Sequence, residues 1–251
     1  NRFSIFFKFV FFIRYLFVVF FVAILLFLII PYFFDYKKKE KIISDYLHQI
    51  YELNINEIET IKYHAFPVPH LKIINSLGNL FSKDINIKID KLILYPSFLS
   101  IYNFNDYQIK KIILIENKIK IDNNHIKKFT EELLSLKKKI FIKNSDLKIQ
   151  DNKINLVDLK NINFKNYGFN KHNIDGEIFN RKFKIKFFND LKNINFKLLN
   201  TGISAEINFD ESKEGLVKGG FKSKLLTSNL KLKFIYDQNS IKINNLFFRD
   251  R

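Results

Sequence analysis

Between Arg14 and Asp35 the chain runs through 20 consecutive uncharged residues, YLFVVFFVAILLFLIIPYFF. At about 1.5 Å per residue such a run makes roughly 30 Å of helix, the thickness of a bilayer's hydrocarbon core. An α-helix is the one single-segment structure that satisfies its own backbone in lipid. A cleavable signal would have an apolar stretch of only about 7 to 15 residues, followed by small residues at the cleavage site. Here Ala23 stands alone within the run, and Pro31 marks its exit. The sequence therefore predicts a short leading tail over residues 1–14, a transmembrane helix over 15–34, and all remaining mass, 35–251, on one side of the membrane. Arg2, Lys8 and Arg14 precede the span; Lys37, Lys38, Lys39 and Lys41 follow it, diluted by Asp35 and Glu40. The flanking charges are too evenly balanced to fix orientation. The chain has no Met, so 251 residues is read as a lower bound on length.

Two further helices are expected. Ile42, Ile43, Tyr46, Leu47, Ile50 and Tyr51 recur at helical spacing, predicting a helix near 37–53 that packs on a protein core or a membrane surface. Ile126, Phe129, Leu133 and Leu136 form a second stripe near 125–138, with Asn124 as its N-cap.

Almost everything else alternates with period two. Apolar residues take one face at Ile85, Ile87 and Ile89; at Ile113, Ile115, Ile119 and Ile121; and at Ile154, Leu156, Ile162 and Phe164. The pattern continues at Phe183, Ile185 and Phe187; at Ile194, Phe196 and Leu198; and at Ile203, Ala205, Ile207 and Phe209. It closes with Leu230, Leu232 and Phe234, then Ile241 and Ile243. These are strands with one dry and one wet face. Turn signals at Asp151-Asn152, Asp175-Gly176, Thr201-Gly202, Gly219-Gly220 and Asp237-Gln238-Asn239 suggest an antiparallel meander. The expected fold is mainly β: one N-terminal membrane helix followed by an antiparallel, curled sheet. A dozen such strands at about 4.8 Å spacing span roughly 55 to 60 Å, more than two short helices cover. Either the sheet closes on itself, or it forms a groove whose dry floor is kept for apolar guests.

The formal charge of +17 comes from 42 basic and 25 acidic residues. The first 34 residues hold three of the basic groups and no acid, so the remainder carries +14. Only five of the basic residues are Arg, the preferred partner of phosphate and guanine, and the lysines are spread without a concentrated stripe. A+T-rich codons supply much of this Lys and Asn, so no nucleic-acid partner is expected. With no Cys there is no disulfide framework and no thiolate metal site.

The order of the segments carries a resemblance. The anchor and amphipathic helix lead to FPVPHLKI (Phe66 to Ile73), then to IDKLILYPSFLSIYNF (Ile89 to Phe104). FIKNSDLKIQDNKINLVDLKNINF follows from Phe141 to Phe164. Over most of residues 1–210 this order resembles the N-terminal region of AsmA-like proteins of Gram-negative envelopes, relatives of the TamB and YhdP groups. The resemblance rests on hydrophobic patterns, the Pro-x-Pro-x-Leu step among them. It implies an inner-membrane anchor with the bulk in the periplasm, and a bridge-like β groove carrying phospholipid for outer-membrane homeostasis.

No catalytic signature such as H-E-x-x-H, G-x-S-x-G or a phosphate loop occurs, and no enzyme activity, cofactor or metal is expected. His64 and His70 flank the Pro-rich segment and are read as loop or surface residues. The expected lipid-contacting residues are Ile113, Ile115, Ile154, Leu156, Ile185, Phe187, Phe196, Leu198, Ile207, Phe209, Leu232 and Phe234. The expected partners are membrane and phospholipid, with envelope proteins or further copies of the chain beside them. The alternative is a membrane-tethered β scaffold that assists outer-membrane protein assembly and in which those side chains meet each other. A weaker reading has the +14 portion grip anionic headgroups.

Overall fold

The computed structural model describes residues 2–152, 154–166, 172–188, 192–210, 216–236 and 240–250. Its first element, α1 (Arg2–Ile29), is followed by a 3-10 turn at Ile30–Phe33 that contains Pro31. The residues expected as a leading tail are thus already helical. Within this segment Phe11–Phe33 is long and apolar enough to cross a membrane.

A second helix, α2 (Glu40–Tyr51), ends where Glu52 turns left-handed at φ 51°, its N–H donating to the His48 carbonyl. Ile43, Leu47 and Tyr51, one helical turn apart, are fully buried, so this amphipathic face packs on protein core. The third helix, α3 (Ile126–Ser135), is preceded by a 3-10 turn at Asn123–His125. His125 occupies the N-cap position without a side-chain hydrogen bond, so Asn124 is not the cap.

The strands are β1 (Leu53–His64), β2 (His70–Leu80), β3 (Asn86–Pro96), β4 (Ile109–Ile115), β5 (Lys118–Asp122), β6 (Lys139–Asp151) and β7 (Ile154–Asn166). There follow β8 (His172–Ile178), β9 (Arg181–Phe188), β10 (Asn193–Leu198), β11 (Ile203–Phe209), β12 (Val217–Leu225), β13 (Ser228–Tyr236) and β14 (Ile241–Arg249). All fourteen belong to one sheet, ordered by sequence from β1 to β14. β4 and β5 are successive segments of one position, lying between β3 and β6. The sheet is a meander except at this point. β4 and β5 pair with β6 in parallel, because the chain crosses over through α3, the kind of connection a parallel pair requires. Among the described residues no ladder joins β1 to β14, so the sheet is open rather than a closed barrel.

Two expected turns are strand interior. Asp175-Gly176 lies within β8, and the β8–β9 turn is made instead by Phe179 and Asn180, both at positive φ. Gly219-Gly220 lies within β12, and Leu226 (φ 57°) makes the next turn. Asp151-Asn152 and Thr201-Gly202 do separate strands; Asp237-Gln238-Asn239 lies outside the described residues.

A row of bulges crosses the N-terminal half of the sheet. Asn75 in β2, Glu116 between β4 and β5, Asn144 in β6 and Asn161 in β7 all have φ between 47° and 58°. Each left-handed residue consumes one position, so the dry face changes parity as the strand passes it. β2 buries Leu71 and Ile73, then Ser76 and Leu80, and β4 buries Ile112 and Leu114 while β5 buries Ile119 and Ile121; β3, with no left-handed residue of its own, changes parity opposite Asn75, burying Ile87 and Ile89, then Leu92 and Leu94. Neighbouring bulges are tied together. Lys91 pairs with Glu116 at 2.7 Å, Asn117 donates to Ser145 Oγ at 2.9 Å, and the Asn161 N–H donates to Asp146 Oδ1 at 3.3 Å. Seven of the twelve described non-glycine residues at positive φ are Asn, the side chain that best tolerates that conformation. Asn therefore does more here than fill the wet faces of strands.

Candidate functional site: an apolar trough along the sheet

Directly paired residues in a β ladder share a face, so the register traces the dry side across the sheet. One rung runs Ile142, Phe164, Ile174, Ile185, Phe196, Ala205, Ser223, Leu230, Phe248 from β6 to β14. A second runs His172, Phe187, Ile194, Ile207, Phe221, Leu232, and a third Phe209, Gly219, Phe234, Ile243. The opposite face of the same strands carries Lys184, Lys186, Lys197, Glu206, Lys222 and Lys231.

This face has two parts. From β1 to β9 it is covered: α2 and α3 contribute to one buried cluster with the inward residues of the sheet. Beneath α3 remains an apolar cavity of about 220 Å³, lined by Phe129, Leu133, Ile149, Leu159, Ile162, Phe164, Ile174, Phe183, Ile185 and Phe187 among others. Beyond Phe187 no described hydrophobic residue is buried, yet the rungs continue. Over β11–β14 they form an open trough of about 340 Å³ lined only by Ile207, Phe209, Val217, Phe221, Leu232, Phe234, Tyr236, Ile241 and Ile243. Ile241 and Ile243 are 65% and 58% exposed. Phe196 sits on the rung that links the two parts.

Of the expected lipid-contacting residues, Ile185, Phe187, Phe196, Leu198, Ile207, Phe209, Leu232 and Phe234 share this one face. Ile113 and Ile115 do not. Their neighbours Ile112 and Leu114 point into the core, while Ile113 pairs with Ile93 and Phe141 on the opposite side. The bulge at Glu116 is the reason: period two counted through it assigns β4 to the wrong face. Ile154 and Leu156 lie at the β6–β7 tip, 68% and 47% exposed, and line neither cavity. Register irregularities between Ile149 and Gln150 and at Asn161 separate them from Ile162 and Phe164.

Sequence reasoning missed Ile174 and Phe221, because each adjoins a glycine pair or Asp-Gly step read as a turn. The glycines instead make room for rings. A Cβ at Gly176 would lie 3.2 Å from the Phe183 ring, and one at Gly219 would lie 2.6 Å from that of Phe234. Phe234 thereby meets Phe209 edge to face at 6.1 Å.

The few polar groups near the trough show no reactive arrangement. His172 is buried on the second rung, stacked on Phe164 at 6.0 Å, and burial holds its pKa below the ordinary histidine value. His64 and His70 pair across β1–β2 with rings stacked at 5.1 Å. Burial first, then the neighbouring His70, lowers the His64 pKa. Among the described residues no group of three or more His, Asp or Glu side chains is placed to hold a metal.

Comparison with known protein families, with characterised proteins and with solved structures returns no match to this chain, so the AsmA-like resemblance stands on the sequence pattern alone.

Proposed function

We propose that the chain is a membrane-anchored lipid-handling protein whose apolar trough shelters the acyl chains of phospholipids while the headgroups stay in water. The observation that carries this reading is the run of largely apolar rungs from β6 to β14, whose distal half has no cover among the described residues. Each CH₂ kept out of water along such a floor is worth about 0.8 kcal/mol, so even partial seating of an acyl chain is favourable. Two further points support it. Phe11–Phe33 is long and apolar enough to cross a membrane, and an anchor there keeps a lipid reservoir beside the sheet; the AsmA-like resemblance implies the same activity at an inner membrane, with the bulk in the periplasm and outer-membrane homeostasis as the purpose.

A scaffold reading keeps one supporting observation. Among the described residues β14 pairs with β13 alone, is exposed along its whole length and shows apolar side chains in Leu246 and Phe247 beside the trough-facing Phe248, a strand suited to pairing with another.

A photo-crosslinking amino acid placed on alternate residues separates the two. In the full chain in its membrane, phospholipid adducts are expected at positions 196, 207 and 234 and not at 197, 208 and 233. Protein adducts at 196, 207 and 234 without lipid would refute the lipid reading in favour of the scaffold.

A further inference from the structure

The end of α1 is not a free tether. The Phe27 ring stacks on Phe98 at 4.4 Å and meets Tyr102 at 4.6 Å, and the Tyr102 hydroxyl donates to the Phe27 carbonyl. The Ala65 N–H donates to the Tyr32 hydroxyl at 3.3 Å, and Tyr32 packs edge-on against Tyr63 at 5.0 Å. These contacts hold the β1–β2 and β3–β4 loops against the last turns of the apolar helix. Phe27 lies six residues inside the end of the Phe11–Phe33 segment, about 9 Å along a helix axis. With Phe11–Phe33 across a bilayer, a ring stacked on Phe27 lies at the depth of its lipid.

The loop tips have the composition this depth demands. Phe66 and Val68 in one loop, and Phe98 and Leu99 in the other, are 70%, 54%, 58% and 69% exposed, four apolar side chains on two adjacent tips that stay largely open even though Phe98 stacks on Phe27. The β3–β4 loop also satisfies backbone groups internally: the Ser100 N–H donates to the Ser97 carbonyl, and the Tyr102 and Asn103 N–H groups both donate to that of Leu99, each at 3.0 Å. Backbone in lipid has to do this, because no water is present to do it instead.

Just above the tips the outward face is basic. Lys62 lies directly opposite Lys72, and Lys111 directly opposite Lys139. Like charges in directly paired positions destabilise a sheet unless something neutralises them. Among the described residues no acidic side chain forms an ion pair with any of the four. Lys111 is instead held over the Tyr95 ring at 4.1 Å. An anionic layer one or two residues above an apolar one is the profile of a phospholipid leaflet.

We propose that these two loops form a membrane seat. Phe66, Val68, Phe98 and Leu99 enter the leaflet from which α1 emerges, and the Lys62–Lys72 and Lys111–Lys139 pairs rest on its anionic headgroups. The seat fixes the sheet's orientation relative to the bilayer and is independent of what the trough carries.

The chain contains no Trp, so Phe66→Trp, Phe98→Trp and Phe179→Trp each introduce a single fluorophore. Phe179, in the β8–β9 turn, is 80% exposed and lies at the other end of the strands. The full-length variants are reconstituted into vesicles of phosphatidylcholine and phosphatidylglycerol with or without brominated acyl chains. Brominated lipid is expected to quench tryptophan at 66 and 98 several-fold more than at 179, with blue-shifted emission at both tips. Val68→Trp and Leu99→Trp repeat the measurement should either first variant fail to fold. Quenching at neither tip, or at the 98 loop alone, would overturn the seat while leaving the trough crosslinking unaffected.

Discussion

Asn161 offers a sharp test of how the dry face is kept continuous. It sits in β7 at φ 51°, where a β-branched residue is strained by about 1–2 kcal/mol. Its side chain adds only an exposed hydrogen bond to Glu177 at 3.3 Å, so Asn161→Gly, which relaxes the backbone while losing that bond, should be close to neutral. Asn161→Val should be less stable than Asn161→Gly by about 1–2 kcal/mol, or roughly 2–8 °C in melting temperature for a chain of this size. A one-residue slip of β7 would relieve the strain, but it would turn Ile162 and Phe164 to solvent. Both are buried, and exposing each costs about 1.5–3 kcal/mol, so the register holds and the strain remains. Thermal unfolding of the detergent-solubilised chain followed by circular dichroism gives the ranking, with the exposed strand position Lys165→Val expected within about 0.5 kcal/mol of the parent. Equal melting temperatures for Asn161→Val and Asn161→Gly would refute the account of the bulge row.

Two other outcomes follow from particular contacts. A Cβ at Gly78 would lie 2.0 Å from the Asn54 carbonyl oxygen, whereas at Gly220 the nearest atom is 4.0 Å away; Gly78→Ala should therefore cost about 3 kcal/mol and Gly220→Ala little, read by the same melts. Burial lowers the His172 pKa from its ordinary 6.5, so the folded state binds fewer protons than the unfolded one and stability falls as pH drops below about 6.5. His172→Phe should flatten that acidic decline, and an unchanged pH profile of melting temperature would contradict the placement.

The apolar alternation of β9 to β11 was legible in the sequence because no described residue interrupts it between Phe183 and Phe187, Ile194 and Leu198, or Ile203 and Phe209, whereas in β14 the left-handed Asn245 breaks the alternation after Ile243. The apolar N-terminal helix was legible because no charge interrupts its 20-residue run, and both amphipathic helices because their helical periodicity runs unbroken. What misled was punctuation. In a chain where Asn is abundant, Asn144 and Asn161 look like ordinary wet-face residues, yet they are left-handed positions that invert parity, and Glu116 gives no compositional hint at all. Gly176 and Gly219 carry the composition of turns, but their role is set by a ring on the neighbouring strand, which only the register reveals. The Phe179-Asn180 turn, conversely, lacks the usual glycine. The parallel crossover through α3 was hidden because the strands on either side alternate like any other pair.

If the uncovered face is dry for the sake of lipid, the portion from residue 35 onward, purified without detergent and verified as folded by circular dichroism, carries phospholipid detectable by mass spectrometry. That phospholipid is expected to be lost when Ile185→Asp or Phe196→Asp places a carboxylate on the rung that joins the covered cavity to the open trough. Folded protein that carries no lipid, or whose lipid content is unchanged by either substitution, would contradict it.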